Sequence, residues 1–366
     1  MATGKLDLWI DRKESLLGLE RDQLTWRLHG KLKDRVPVKY VNTVTILGQT
    51  QLDSRLLCRL AECGVSVYLL NNARNSAGTA IGQTFAGPPR QRLLQYQCTS
   101  DKSQGLSVAR VIVYGKLSAY WHAGVNRFSF SESWGDSIKT LMTQIDAAQT
   151  LPQLLGIEGA ASRSWFEQLK QRIPEDWKFE GRNKNPPKDP VNALLSLTYT
   201  LVSQPLRQAL MAWGYDLSLG FLHQVYPGRE SLVCDLQEWL RPLVDCWIAE
   251  VVLAQFVPKD FALDPEYGCR LHKEKRTVFY QLWYDQYDHW PGLSDFGKAR
   301  VSLPELCCQL VQALHNLFQQ FVDQQEPEWR ETVERIAASL LFPAIADEVD
   351  DAFDDDGAAD WGGSES

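Results

Sequence analysis

The spacing of apolar residues changes once along this chain of 366 residues. In the first hundred residues, apolar and polar side chains tend to alternate, as Val44 and Ile46 do with Thr43 and Thr45, a spacing typical of half-buried strands. One short helix, over about 54–63, interrupts this pattern. Farther along the chain the spacing becomes helical, so the sequence predicts strands first and helices afterwards.

This change divides the chain into four segments, and the predicted fold class is α+β. Residues 1–97 are predicted to form a β-rich, β-sandwich-like domain. The polar stretch 98–105 is the predicted linker. A larger all-α domain follows over 106–342, and an acidic, disordered tail over 343–366 ends the chain.

The net charge of the chain is concentrated in that tail. The formal net charge is −8, but nine of the acidic residues lie in the last twenty positions, so residues 1–346 carry 38 Lys and Arg against 37 Asp and Glu. A nearly neutral body can still gather its basic residues on one face, and the overall charge therefore does not exclude a nucleic-acid partner.

Neither export nor membrane insertion is indicated. The N-terminal residues alternate in polarity, and no stretch approaches eighteen uninterrupted apolar residues. We therefore expect a soluble, cytoplasmic protein. Its eight cysteines contain no CxxC pair, which argues against a structural zinc site and favours reduced, mostly buried thiols.

Two residues in glycine-containing segments are candidates for chemistry. Glu158 lies between Gly156 and Gly159 at the predicted start of a helix. A carboxylate at that position can also have no chemical role and simply interact favourably with the positive end of the helix dipole. His223 lies in an apolar stretch, where a lone histidine can equally be a core residue whose hydrogen bonds are satisfied.

A pair of carboxylates follows. Asp235 and Glu238 are three residues apart, so they share one face of a helix, and their apolar neighbours predict that this helix is largely buried. Two buried carboxylates need a metal ion or an arginine, and Arg229 or Arg241 could supply the arginine.

A divalent ion bound by Glu158, His223 and Glu238, with Asp235 beside it, would account for all four residues. Oxygen ligands with one imidazole suit Mg²⁺ or Mn²⁺. Such an ion favours phosphodiester chemistry without a covalent protein nucleophile. Neither a GxSxG motif nor a Walker A loop is present, so serine hydrolases and P-loop enzymes are excluded.

A basic loop separates Glu158 from His223. Arg182, Lys184 and Lys188 lie within seven residues that contain no acid, and two prolines stiffen the segment. The loop can be an ordinary solvated surface or a rigid clamp on phosphates. The aromatic stretch 277–290 can likewise be core or a surface on which bases stack.

Three separated strings together resemble one family: GIEGAASRSWF at 156–166, GRNKNPPKDPVNALLS at 181–196 and GFLHQVYPGRESLVCDLQEWLRPLVD at 220–245. They are similar to the CRISPR-associated adaptation endonuclease and integrase, the Cas-one family, and the similarity extends to about residue 325. It implies an N-terminal domain that dimerises and a helical, metal-dependent catalytic domain.

The resemblance also implies roles for particular residues. The glutamate of the family falls on Glu158, its histidine on His223 and its acidic pair on Asp235 and Glu238, with Glu238 as the direct metal ligand. The reaction implied is a transesterification that joins the 3′-hydroxyl ends of a prespacer to the CRISPR repeat, with DNA endonuclease activity beside it. Family members act as homodimers, two of which flank a dimer of the small Cas-two protein on DNA.

The predicted DNA contacts are Arg163, Arg182, Lys184, Lys188 and Arg229. The chain departs from the family pattern at Ala160, where a polar residue is common, and at Trp165, where tyrosine is common. Two other functions remain open from the sequence, a branched-DNA or repair nuclease without integration and a non-catalytic DNA-binding scaffold.

Overall fold

The structure is a computed structural model, and it describes only part of the chain. The described residues are 6–70 apart from Asp11, Lys13 and Gly48, then 79–81, 88–183, 186–291, 300–323, Arg330, Val333 and Glu334. Lys184 and the predicted acidic tail over 343–366 lie outside them.

Two four-stranded sheets form the N-terminal part. In chain order, strands β1 to β8 are Leu6–Ile10, Ser15–Glu20, Gln23–Leu28, Lys31–Pro37, Val41–Leu47, Thr50–Leu52, Ser66–Leu70 and Thr79–Ile81. The strand orders are β1-β5-β7-β8 and β4-β3-β2-β6. β5 pairs in parallel with β1 and β7, whereas β2, β3 and β4 form an antiparallel meander.

The two sheets share one apolar core, to which Ile10, Leu17, Leu24 and Val44 all contribute. This arrangement confirms the β-rich, sandwich-like prediction. The expectation of half-buried strands was wrong for β5, because its threonines are buried as well, Thr45 being 1% exposed. A central parallel strand is covered on both faces, so its threonine side chains are buried as well as its apolar ones.

The predicted short helix of this domain is present as α1, Ser54–Glu62. Asp53 caps it by accepting a hydrogen bond from the backbone N–H of Arg55 at 2.9 Å. The helix stops before Gly64, whose φ of +71° is a left-handed conformation that glycine adopts without strain.

From residue 89 onward the described chain is mostly helical. Helices α2 to α9 are Pro89–Ser100, Lys102–His122, Glu132–Ala147, Leu151–Arg172, Pro190–Trp213, Ser231–Trp247, Lys273–Tyr287 and Leu303–Val322. The predicted linker at 98–105 is helical apart from one residue. Only Asp101 separates α2 from α3, and its carboxylate caps α3 by accepting from two backbone N–H groups.

One large apolar cluster joins these helices. Two short hairpins interrupt them, the first formed by β9 (Phe261–Asp264) and β10 (Gly268–Leu271) and the second by β11 (Trp290–Pro291) and β12 (Arg300–Val301). The aromatic stretch at 277–290 belongs mainly to this core, since Phe279, Trp283 and Trp290 are each no more than 1% exposed.

The eight thiols are all free. Cys307 is buried in α9, whereas its neighbour Cys308 is exposed, as expected for successive residues of a helix with one buried face. Among the described residues, no helix is long and apolar enough to cross a membrane.

Candidate metal centre

Glu158 lies in the interior of α5. Thr150 and Gln153 begin this helix with a capping box, so the prediction that a helix starts at Glu158 was wrong. Because Glu158 is not at the N-terminus of the helix, an interaction with the helix dipole does not explain it. The side chain of Glu158 is 20% exposed and accepts a hydrogen bond from the Ser162 hydroxyl at 2.8 Å, one turn farther along α5.

Asp235 and Glu238 lie on α7 and are buried, with 0% and 2% of their residue surfaces exposed. The two carboxylates meet His223 from different sides. Asp235 Oδ1 lies 2.8 Å from His223 Nδ1, and Glu238 Oε1 lies 3.9 Å from His223 Nε2. Helical spacing of three residues thus places both acids within reach of one imidazole.

Asp235 holds the loop that carries His223. Its Oδ2 accepts from the backbone N–H groups of Phe221 and Leu222 at 2.5 and 3.2 Å. Its Oδ1 accepts from the backbone N–H and from Nδ1 of His223, both at 2.8 Å. Because a carboxylate only accepts, Nδ1 carries a proton, and Nε2 lies on the side of Glu238.

Two further contacts hold this loop. Gln95 of α2 accepts from the backbone N–H of Asp216 at 2.8 Å and donates to the carbonyls of Asp216 and Leu219, both at 2.9 Å. Gly220 is required by space, since a Cβ there would lie 2.7 Å from the His223 carbonyl oxygen and 2.8 Å from Asp235 Oδ2. The imidazole is therefore held in place before any ligand binds.

Lys116 of α3 joins the two glutamates. Its ammonium donates to Glu238 Oε2 at 2.6 Å and also to Glu158 Oε1. The lysine side chain is 3% exposed. Sequence reasoning missed this residue. The signal was available, because Lys116 is the only charged residue of the otherwise apolar run 111–120.

Arg241 supplies the second cation, as one of the two arginines considered for the acidic pair. It donates to Glu238 Oε1 from the next turn of α7. Burial alone would raise the pKa of Glu238, but Arg241 and Lys116 outweigh burial and lower that pKa to about 2. Glu238 is therefore an anion at neutral pH.

A third buried carboxylate lies farther along α7. Asp245 of α7 accepts from Trp165 Nε1 at 2.9 Å and from the Tyr199 hydroxyl. Burial raises the pKa of Asp245 to about 6, against the opposing effect of these two hydrogen bonds. The Trp165 ring also stacks on Tyr120, with ring centroids 4.6 Å apart, so the departure from tyrosine at 165 fills the core behind the site.

The predicted DNA contacts have different surroundings. Arg182 turns inward, donating to Asn192 Oδ1 at 2.8 Å and to the Ser196 hydroxyl at 3.0 Å. Arg163 on α5 and Lys188 in the loop before α6 are exposed. Thus the basic loop directs its first charge into the protein and a later one toward solvent.

Arg229 folds back on its own loop. It donates to the Gln224 carbonyl and to the Ser231 hydroxyl at 3.3 Å, and its guanidinium lies 5.7 Å from the centre of the Tyr226 ring. Tyr226 is 64% exposed and follows His223 by three residues. The surface beside the candidate centre is therefore partly aromatic.

The donor types at the site suit a hard divalent ion. Glu158 and Glu238 offer carboxylate oxygens, and His223 offers an imidazole nitrogen fixed through its other nitrogen by Asp235, a common support for metal-bound histidine. The present spacing is not that of a chelate. Among the described residues, no three His, Cys, Asp or Glu side chains are close enough together to hold a metal, and Lys116 lies between the two glutamates.

This arrangement of a small β-rich domain and a helical domain with buried acids agrees with one protein family. Residues 8–285 match the family model described as CRISPR associated protein Cas1, and the chain belongs to that family. A relative from Thermodesulfovibrio yellowstonii, named CRISPR-associated endonuclease Cas1 1, is 31% identical over 300 residues, which cover 77% of this chain and 90% of the relative.

Solved structures share the fold. A casposase bound to its integration product superposes with a TM-score of 0.72 at 18% identity, covering 88% of this chain and 92% of the casposase. A chain of a Cas6-RT-Cas1–Cas2 complex superposes with a TM-score of 0.75 at 21% identity, covering 94% of this chain and 37% of the larger one.

Proposed function

We propose that this protein is a metal-dependent DNA endonuclease and integrase of CRISPR adaptation. The observation that carries the proposal is that Glu158 and Glu238 share the ammonium of Lys116, while His223, fixed by Asp235, lies beside Glu238. The family match supports it, and so does the endonuclease name of the relative that is 31% identical.

Glu158, His223 and Glu238 would hold Mg²⁺ or Mn²⁺, which when bound would stabilise negative charge on a phosphoryl oxygen. Asp235 would keep His223 in the tautomer whose Nε2 lone pair is available. The exposed Arg163 and Lys188, with Arg229, would position the phosphate backbone without reading its sequence. Arg182 and Lys184 belong to the same predicted clamp, although the contacts of Arg182 favour a structural role.

The proposed reaction is a transesterification. The 3′-hydroxyl oxygen of a prespacer forms a bond to a phosphorus of the repeat, and the bond from that phosphorus to a repeat 3′-oxygen breaks. The leaving oxygen takes up a proton from solvent, and the attacking hydroxyl gives one up, so protons balance. Water in place of the attacking hydroxyl gives hydrolysis, which is the endonuclease reaction.

The proposed partners are DNA, a second copy of this chain and a small Cas2-type dimer. The superposition on a chain from a Cas6-RT-Cas1–Cas2 complex supports the last of these. The N-terminal domain, residues 1–97, is the proposed dimerisation domain, and residues 106–342 are the proposed catalytic domain.

The test is strand transfer by the Glu158→Gln variant. Labelled prespacer and repeat DNA are incubated with Mn²⁺, the family's small partner and either wild type or variant. We expect covalent joining by wild type and none by the variant, with duplex binding retained. Glu167→Gln is the matched control, because Glu167 is an exposed residue of the same helix. Strand transfer by the Glu158→Gln variant at the wild-type level would show that the site is wrongly assigned.

The product also separates the two other functions left open by the sequence. Prespacer that is shortened but never joined to the repeat would indicate a nuclease without integration. A wild-type protein that binds DNA but neither binds Mn²⁺ nor changes the DNA would indicate a scaffold.

A further inference from the structure

Lys116 occupies the position between the two glutamates that a metal ion would need. Its ammonium lies 2.6 Å from Glu238 Oε2 and also contacts Glu158 Oε1, and both contacts are shielded from solvent, the lysine side chain being 3% exposed. A single buried cation therefore bridges carboxylates from α5 and α7.

A lysine is rarely buried this deeply without charged partners, because removing an ammonium from water is costly. Burial lowers the pKa of Lys116, but its neighbours, led by Glu238, outweigh burial and raise it. The two carboxylates in contact with Lys116 are the charged partners that a buried ammonium needs. Without the ammonium, Glu158 Oε1 would keep, among the residues described by the structure, the Ser162 hydroxyl as its one hydrogen-bond partner.

The charges of the cluster are already nearly balanced. Lys116 and Arg241 bring two positive charges to Glu158 and Glu238, and the carboxylate of Asp235 is satisfied by its own donors. A divalent ion added to this arrangement would lie beside the ammonium and compete for the same oxygens. Like charges at such distances in a buried site repel strongly.

We propose that Lys116 is a built-in competitor of the divalent ion, which binds by displacing the ammonium from Glu158 and Glu238. The lysine neutralises the carboxylate pair while no ion is bound, and it weakens the affinity of the site for the ion. This inference rests on the proposed metal-dependent function, in that Glu158 and Glu238 are taken as ligands.

The experiment is Mn²⁺ binding to the full-length protein, followed by the paramagnetic resonance signal of free Mn²⁺. We expect Lys116→Met to bind Mn²⁺ at least about tenfold more tightly than wild type, which corresponds to about 1.4 kcal/mol. Lys139→Met, which removes an exposed lysine of α4, should bind like wild type. Equal or weaker binding by a folded Lys116→Met protein would overturn the inference.

Loss of the lysine leaves two buried carboxylates without their shared cation, so the variant needs a second measurement. Thermal unfolding should show a lower Tm for Lys116→Met than for wild type without added metal, and a larger rise in Tm when Mn²⁺ is added. If the variant is unfolded without metal, recovery of native helix content on adding Mn²⁺ would support the inference, and failure to recover would overturn it.

Failure of the proposed function gives a different result. The Glu158→Gln protein should bind Mn²⁺ more weakly than the wild-type protein if the metal site is correctly assigned. Equal binding by wild type and Glu158→Gln would remove the metal site itself. Weaker binding by Glu158→Gln together with no gain from Lys116→Met would leave the metal site in place and remove only the competition by lysine.

Discussion

Replacement of Asp235 by asparagine should show that this residue holds the loop bearing His223, a role distinct from that of the proposed metal ligands. Each carboxylate oxygen of Asp235 accepts two hydrogen bonds, from Phe221 and Leu222 on one side and from two groups of His223 on the other. Asparagine keeps one oxygen and replaces the other by an NH₂ group, which cannot accept. Whichever way the amide turns, two donors lose their acceptor.

The expected cost follows from that count. A hydrogen bond to a charged group contributes about 1.5–3 kcal/mol, so Asp235→Asn should lower the free energy of unfolding by about 3–6 kcal/mol. His223→Ala loses only the side-chain bond to Asp235 and should cost about 1.5–3 kcal/mol by the same reasoning. Both variants should lose Mn²⁺-dependent DNA cleavage, because both remove a correctly held imidazole.

The measurement is urea unfolding followed by circular dichroism at pH 7, with cleavage of duplex DNA assayed below the transition. A stability of Asp235→Asn within about 1 kcal/mol of wild type would refute the claim that this carboxylate holds the loop. Retained cleavage in a stable Asp235→Asn protein would further show that the orientation of His223 does not depend on it.

Three other predictions address neighbouring features. Arg182→Lys should lower the free energy of unfolding by about 1–3 kcal/mol in urea unfolding, because the half-buried guanidinium loses its paired hydrogen bonds, with little change in DNA affinity. Lys188→Ala should weaken DNA binding and reduce its salt dependence, and fluorescence anisotropy measures DNA binding for both variants. The pKa of Asp245 is raised to about 6 from 3.8, so its ionisation is disfavoured in the folded state and stability should fall as pH rises between these values, by up to about 3 kcal/mol. Asp245→Asn should remove that decline, which urea unfolding at pH 4 and pH 7 measures. The same decline in Asp245→Asn as in wild type would contradict the reasoning. Gly220→Ala places a Cβ 2.7 Å from a carbonyl oxygen and should abolish Mn²⁺-dependent cleavage, while Gly156→Ala, where nothing lies within 4 Å, should not.

Apolar spacing predicted much of the fold. The run around Val44 did indicate a strand, and the leucines before Gly64 did indicate a helix, because both patterns reflect which side of an element is buried. Spacing could not reveal that Thr45 is also buried, since that depends on which neighbours cover the outer face of a central strand. It also misplaced the start of the helix that carries Glu158, because that helix begins at the Thr150–Gln153 capping box and continues through the two glycines.

The candidate site was predictable in part for a similar reason. The spacing of Asp235 and Glu238 placed them on one face of a helix. Their apolar neighbours predicted that this face is buried, and buried carboxylates need a positively charged partner. The sequence offered arginines nearby in the chain, and nothing local linked the acidic pair to Lys116, which is 122 residues from Glu238. A partner brought in by tertiary packing leaves no local pattern, apart from an isolated charge in an apolar helix.

The separation of these groups along the chain has a consequence for how the protein is made. At about 5–20 residues per second, Lys116 is synthesised on the order of 6–24 s before Glu238, which lies 122 residues later. During that interval the nascent chain has Glu158 without Glu238, and His223 is synthesised only 15 residues before Glu238. Fragments that end before α7 lack both Asp235 and Glu238 and should therefore be unable to cut DNA.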